Sequence, residues 1–178
     1  FSKINIKEAA HFVVAFLFLT MSYTIEVPID IIHLDEDGYH IFLEGHINEV
    51  PARFLLDTGA SKTVINAPFA IANFDNSQFE ENPKGATGIS GNELKCQIAL
   101  INQIHLGHYK IENLRTSMIP LNNVNETYAK LALPSIDAII GMDILVKGDA
   151  KIHIDTGILE LKMLHQPHPN YYTGPISQ

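Results

Sequence analysis

The stretch that decides the fold is "RFLLDTGASKTVINAPF", residues 53–69. An apolar run, Phe54, Leu55 and Leu56, ends on an acid, Asp57, and Thr58, Gly59, Ala60 and Ser61 follow at once. Asp-Thr-Gly is ordinary turn chemistry at the end of a strand. The apolar pattern resumes straight afterwards at Val64 and Ile65. A carboxylate flanked on both sides by apolar segments is aimed at partly desolvated surroundings, which is costly unless the acid is paired or used.

Outward from this point the chain reads as short strands. "VPIDIIHL" (27–34) leads into the turn "DEDG" (35–38), "YHIFLEG" (39–45) alternates, and "HINEVPARFLLD" (46–57) is the return strand of a hairpin that ends on the acid. "APFAIAN" (67–73) predicts one short helical turn, and "ENPKGATGISGNELK" (81–95) predicts a loop or hairpin tip. "CQIALINQI" (96–104) and "HYKIENLRT" (108–116) flank a Leu106-Gly107 turn as a second hairpin. "NNVNETYAKLALP" (122–134) is a polar loop running into a short helix that stops at Pro134, and "DAIIGMDIL" (137–145) is an apolar strand followed by a helix start. "AKIHIDTGILELKM" (150–163) reads as a last hairpin. The expectation is an all-β fold: one domain over residues 25–163 with one or two short helices, and a Pro-rich tail at 164–178.

Residues 1–24 stay unassigned. Within them "FVVAFLFLTM" (12–21), behind Lys3 and Lys7, is too short for a membrane span, which needs about 20 apolar residues. It fits the apolar part of a secretory signal or anchor, upstream sequence ahead of Met21, or a core element. Membrane association and localisation depend on which of these holds.

With 178 residues, 46% hydrophobic and 18% charged, the composition is that of a folded chain sized for one core. A formal net charge of −8 speaks against general nucleic-acid binding, which needs a basic face. The single Cys96 excludes an internal disulfide and reads as a strand-core thiol. "HLGH" (105–108) and "HQPH" (165–168) have neither a Cys or Glu at ligand spacing nor the zinc-protease pattern of His residues four apart around a Glu, so no metal and no cofactor are expected. "GISGN" (88–92) is not a serine elbow, and "GATGISG" (85–91) lacks the Lys-Ser/Thr ending of a phosphate loop.

What remains is a pair of carboxylates sharing one proton and acting on water. A second Asp-Thr-Gly stands at 155–157, but too little chain follows it to build another half-site. "KIHIDTGILEL" alternates on both sides of the tripeptide as a surface hairpin does, so Asp155 is expected to be a turn residue. The second acid then comes from a second copy of the chain across a twofold axis.

"FLLDTGAS" (54–61), "GATGISG" (85–91) and "AIIGMDIL" (138–145), in that order, resemble the retropepsin-like aspartic peptidases, over residues 37–163. The resemblance implies an acid-protease lobe, a closed β-barrel-like structure, acting as an aspartic endopeptidase on peptide or protein substrates in a homodimer. It makes Asp57 the catalytic acid, one per subunit, with Thr58 hydrogen-bonding across the dimer axis and Gly59 letting its amide approach the carboxylates. Ala60 and Ser61 would line the cleft. Ile139, Ile140 and Gly141 would thread beside the Asp57 loop, Asp143 would be a cap or turn anchor, and Gly85, Gly88, Ile89 and Gly91 would belong to the flap that closes over the peptide. Three features depart from the family: serine replaces the acid that retroviral members carry at position 61, residues 105–135 run longer than in the compact viral enzymes, and the tail does not supply their chain-end dimer sheet. A competing reading on the same fold is a non-catalytic module that binds peptides or a partner chain. "NET" (125–127) is a formal glycosylation triplet.

Overall fold

The structure is a computed structural model that describes residues 22–34, 38–81, 86–87, 93–94 and 97–164. Its strands and helices run β1 (Ser22–Pro28), β2 (Asp30–His33), β3 (Tyr39–Ile47), β4 (Val50–Leu56), β5 (Val64–Asn66), α1 (Ala67–Asn73), a 3-10 turn (Asn76–Gln78), β6 (Phe79–Glu81), β7 (Ala86–Thr87), β8 (Glu93–Leu94), β9 (Gln97–Leu106), β10 (Tyr109–Ile119), α2 (Asn122–Lys130), β11 (Ala138–Ile140), α3 (Met142–Lys147), β12 (Lys151–His153) and β13 (Ile158–Leu164). Ile25–Leu161 forms one compact unit, and the described residues that flank it, 22–24 and 162–164, belong to another. In the described part of the latter, the Tyr23 hydroxyl donates to Met163 Sδ at 2.9 Å.

Eight strands pair in the order β2-β3-β4-β11-β5-β10-β9-β6, and a further β3–β9 pairing joins the sheet to itself. The strands β3, β4, β11, β5, β10 and β9 thereby close into a barrel, sealed where His46 faces His105 and Ile47 faces Ile104. The seam leaves no room for a side chain at Gly45, where a Cβ would lie 2.3 Å from the His105 carbonyl oxygen. Alternation on the strands fills the interior: Leu43, Ile47, Phe54, Ile65, Ile101, Ile104 and Ile140 are all fully buried.

The first barrel hairpin turns later than the sequence reading placed it. β3 runs on to Ile47, and the reversal falls at Asn48 and Glu49, whose φ values of 47° and 67° are the two left-handed conformations of a tight hairpin turn. Glutamate is an unusual occupant of that position, so the residues did not advertise it. The β9–β10 hairpin turns at Gly107 (φ 57°), as expected. Helix α2 stops short of Pro134: Ala132 takes φ 56° and the Leu133 amide folds back onto the Tyr128 carbonyl at 2.9 Å, a left-handed cap that ends the helix at Lys130. Asn125 of the formal glycosylation triplet is a clamp, its side chain donating to the Ile136 carbonyl (3.1 Å) and accepting from the Ile136 amide (2.9 Å).

A second, three-stranded sheet has the order β1-β13-β12. The second Asp-Thr-Gly is the turn between its last two strands, with Asp155 exposed and Gly157 at φ 65°. Asp155 is therefore a turn residue, as the sequence reading held. β7 and β8 pair antiparallel, Ala86 with Leu94 and Thr87 with Glu93. Among the described residues no helix is long and apolar enough to cross a membrane, and residues 12–21 lie outside them.

Candidate active site

Asp57 is placed by a crossing of three strands. β11 pairs parallel with β4 (Ile139 with Leu55, Ile140 with Leu56) and antiparallel with β5 (Ala138 with Ile65, Ile139 with Val64), so it lies between the strand that ends on the acid and the strand that resumes after it. The Asp57 amide continues the ladder, donating to the Ile140 carbonyl at 3.0 Å. The chain then turns sharply: the Ala60 amide donates to the Asp57 carbonyl (3.2 Å) and the Gly59 amide to Asp57 Oδ1 (2.7 Å). A carboxylate oxygen that accepts a backbone N–H is fixed in direction. A Cβ on Gly59 would approach that same oxygen to 3.1 Å, so glycine keeps this contact open.

The far side of the loop is anchored to the start of α3. The Met142 amide donates to the Ala60 carbonyl at 2.8 Å. Asp143 Oδ1 accepts from both the Thr63 amide (2.9 Å) and the Thr63 hydroxyl (2.8 Å), and Thr63 Oγ1 in turn accepts from the Gly141 amide (3.1 Å). Asp143 is thus the turn anchor that the resemblance allowed; the helix is capped instead by Gly141, without a side-chain bond. Gly141 is obligatory on space, since a Cβ there would stand 2.5 Å from the Lys62 carbonyl carbon. The Thr116 hydroxyl secures the same loop by donating to the Thr63 carbonyl.

The acid lines a cleft of about 350 Å³ together with Tyr39, His40, Ile41, Leu55, Leu56 and Thr58. Asp57 is half-buried, Thr58, Gly59 and Ser61 are exposed, and Ala60 is half-buried. The structure therefore brings Asp57–Ser61 together with Ile139, Ile140 and Gly141. Gly85, Gly88, Ile89 and Gly91 lie outside the described residues. Among the described residues no group of three or more His, Cys, Asp or Glu is placed to hold a metal ion.

One wall of the site was not read from the sequence. His40 sits beside Ile41, which pairs with Leu56, so the β3–β4 register carries His40 to the level of Asp57. Its Nδ1 lies 2.7 Å from the hydroxyl of Tyr128, which α2 brings in from far along the chain. Tyr128 packs in a buried cluster with Phe42, Leu55, Leu121 and Ile136, its ring edge-on to Phe42 at 5.3 Å. Burial, and then the negative charge of Asp57, push the phenol up to about 12, while the Arg53 guanidinium pulls the other way. Arg53 stacks over Phe42 at 4.8 Å, and its backbone is doubly tied to Asp137. Burial raises the Asp137 carboxyl, and the Arg53 N–H opposes the rise.

A closed barrel with β11 threaded beside an Asp-Thr-Gly loop defines a retropepsin-like fold. Residues 43–147, more than half of the chain, match the family described as "gag-polyprotein putative aspartyl protease", and the chain belongs to that family. In fold it is similar to a retropepsin-like aspartic protease from Rickettsia conorii, with 19% identity and a TM-score of 0.52 over 83% of this chain and 96% of that one. Further matches are the retroviral protease-like domain of Ddi1 from Leishmania major (18% identity, TM-score 0.48, covering 72% and 95%) and the EIAV protease (20% identity, TM-score 0.45, covering 69% and 100%). No curated protein matches the chain in sequence.

Proposed function

We propose that the chain is an aspartic endopeptidase whose reaction centre is a pair of Asp57 carboxylates contributed by two copies of the chain. The observation that carries this reading is the Asp57 carboxylate itself, directed by the Gly59 amide at 2.7 Å and half-buried in a cleft. In the proposed reaction the two acids share one proton, because like charges at close range do not both ionise. The ionised carboxylate takes a proton from a water molecule, whose oxygen attacks the peptide carbonyl, and the protonated carboxyl gives its proton to the carbonyl oxygen. As the tetrahedral intermediate collapses, one of its hydroxyls gives a proton to the ionised carboxylate, the C–N bond breaks, and the amine leaves with the proton of the other carboxyl, so the pair again holds one. Thr58 is assigned to the contact across the twofold axis, and Ala60 and Ser61 to the cleft rim; the exposure of Thr58 and Ser61 at the loop supports both roles.

The test is incubation with a mixed peptide library, with cleavage sites read by mass spectrometry. Wild-type protein is expected to cut. Asp57→Asn, which keeps an oxygen for the Gly59 amide, is expected to lose cleavage with an unchanged thermal midpoint. Cleavage that survives the substitution removes Asp57 from the chemistry. Because exactly one shared proton is needed, the rate should fall on both sides of an acidic-to-neutral optimum.

A further inference from the structure

His40 and Tyr128 form a built pair at the edge of the Asp57 cleft. Phe42 faces Leu55 across the β3–β4 ladder, and His40, two residues from Phe42, shares its side of the strand. Phe42 and Leu55 are both covered by the segment that carries α2. The two partners differ in exposure: Tyr128 is 1% exposed, whereas His40 is half-buried and lines the cleft.

The chemistry of the bond fixes what His40 has left to offer. A buried hydroxyl must give its proton to an acceptor, and among the described residues the recorded partner of the Tyr128 hydroxyl is His40 Nδ1. With Nδ1 accepting, the neutral imidazole carries its proton on Nε2. If the ring takes a second proton, Nδ1–H donates to the hydroxyl oxygen and Nε2–H remains. In both charge states the free nitrogen is a donor.

We propose that His40 is a substrate-positioning residue whose Nε2–H, held in that tautomer by the Tyr128 hydroxyl, donates to an oxygen acceptor of a peptide bound in the Asp57 cleft. Helix α2 is then the element that holds the donor in place, which gives the extra chain within 105–135 a role at the site. The acceptor is a main-chain carbonyl or a side-chain carboxylate; both present the same lone pairs to an N–H. This inference rests on the peptide-binding part of the function proposed above, and not on turnover.

The experiment uses immobilised Asp57→Asn protein and a mixed decapeptide library, with retained peptides read by mass spectrometry. Adding His40→Leu is expected to lower retention about tenfold, the loss of one hydrogen bond, and His40→Gln, which restores an N–H donor, to recover most of it. Tyr128→Phe keeps the ring packing and guards against a variant that fails to fold. It should lower retention about threefold, and the imidazole ¹⁵N shifts of His40 should pass from the Nε2–H tautomer to a mixture. Enrichment of Asp or Glu at one offset among the retained peptides identifies a carboxylate acceptor, and its absence identifies a main-chain carbonyl. Equal retention by the His40→Leu protein, or a neutral Nδ1–H tautomer in the parent, overturns the proposal. If the wild-type protein cuts nothing while retention still depends on His40, hydrolysis fails and the positioning role stands. If the Asp57→Asn protein retains no peptide, both fail.

Discussion

Tyr128 makes a measurable demand on the alkaline stability of the protein. Its phenol is raised from 10.0 to about 12 by burial and by Asp57. A group whose folded value is raised contributes stability that is complete below its unfolded value and is lost as pH climbs towards its folded one. Wild-type protein should therefore lose stability to urea between about pH 10 and about pH 12 more steeply than Tyr128→Phe, and a late-ionising tyrosine should be missing from the ultraviolet titration of the variant. Parallel stability curves would mean that the phenol is not held in this way. At this scale the acid was readable and its neighbour was not. Asp57 stands out because apolar residues flank its turn, while the identical tripeptide at 155–157 sits in an alternating hairpin and stays on the surface. His40 looks like one polar residue on an alternating strand, and nothing local points to a hydroxyl 88 positions away.

The elements that make the site are short, and single side chains hold them together. Asp143 is the clearest case, because one of its oxygens serves both the amide and the hydroxyl of Thr63, a residue that is 1% exposed. Asp143→Ala strands both donors and should cost about 2–3 kcal/mol in urea unfolding, whereas Asp143→Asn, which retains an oxygen acceptor, should cost about 1 kcal/mol. A loss under about 0.5 kcal/mol for the alanine variant would show that water replaces the carboxylate. Period-2 alternation made most of the barrel strands legible, and the run at Ala138–Ile140 stood out as an apolar strand. Element ends were harder. Glu49 and Ala132 adopt left-handed backbone that their side chains disfavour; strand pairing imposes it at the first and the helix cap at the second. Closure of the barrel through His46 and His105 joins strands far apart in the chain, and periodicity carries no trace of such a contact.

For the molecule as a whole, a reaction centre shared between two copies, as proposed, makes the composition of the assembly a kinetic variable. When wild-type and Asp57→Asn chains are mixed in equal parts at constant total concentration and allowed to exchange, random pairing leaves about a quarter of the activity, against half for an enzyme that works as a monomer. Retention of half would place the whole reaction centre within one chain. Residues 54–61, the Thr63 anchor and residues 139–143 are brought to one place at the Asp57 loop. That convergence has a temporal side. The hydrogen bond that receives the Asp57 amide ends on Ile140, and the oxygen that pins Thr63 belongs to Asp143. During synthesis the ribosome releases the acid long before it releases either support. A nascent chain therefore carries its carboxylate on an unbraced tether, and the Asp57 loop cannot take its braced geometry until nearly the whole barrel has emerged.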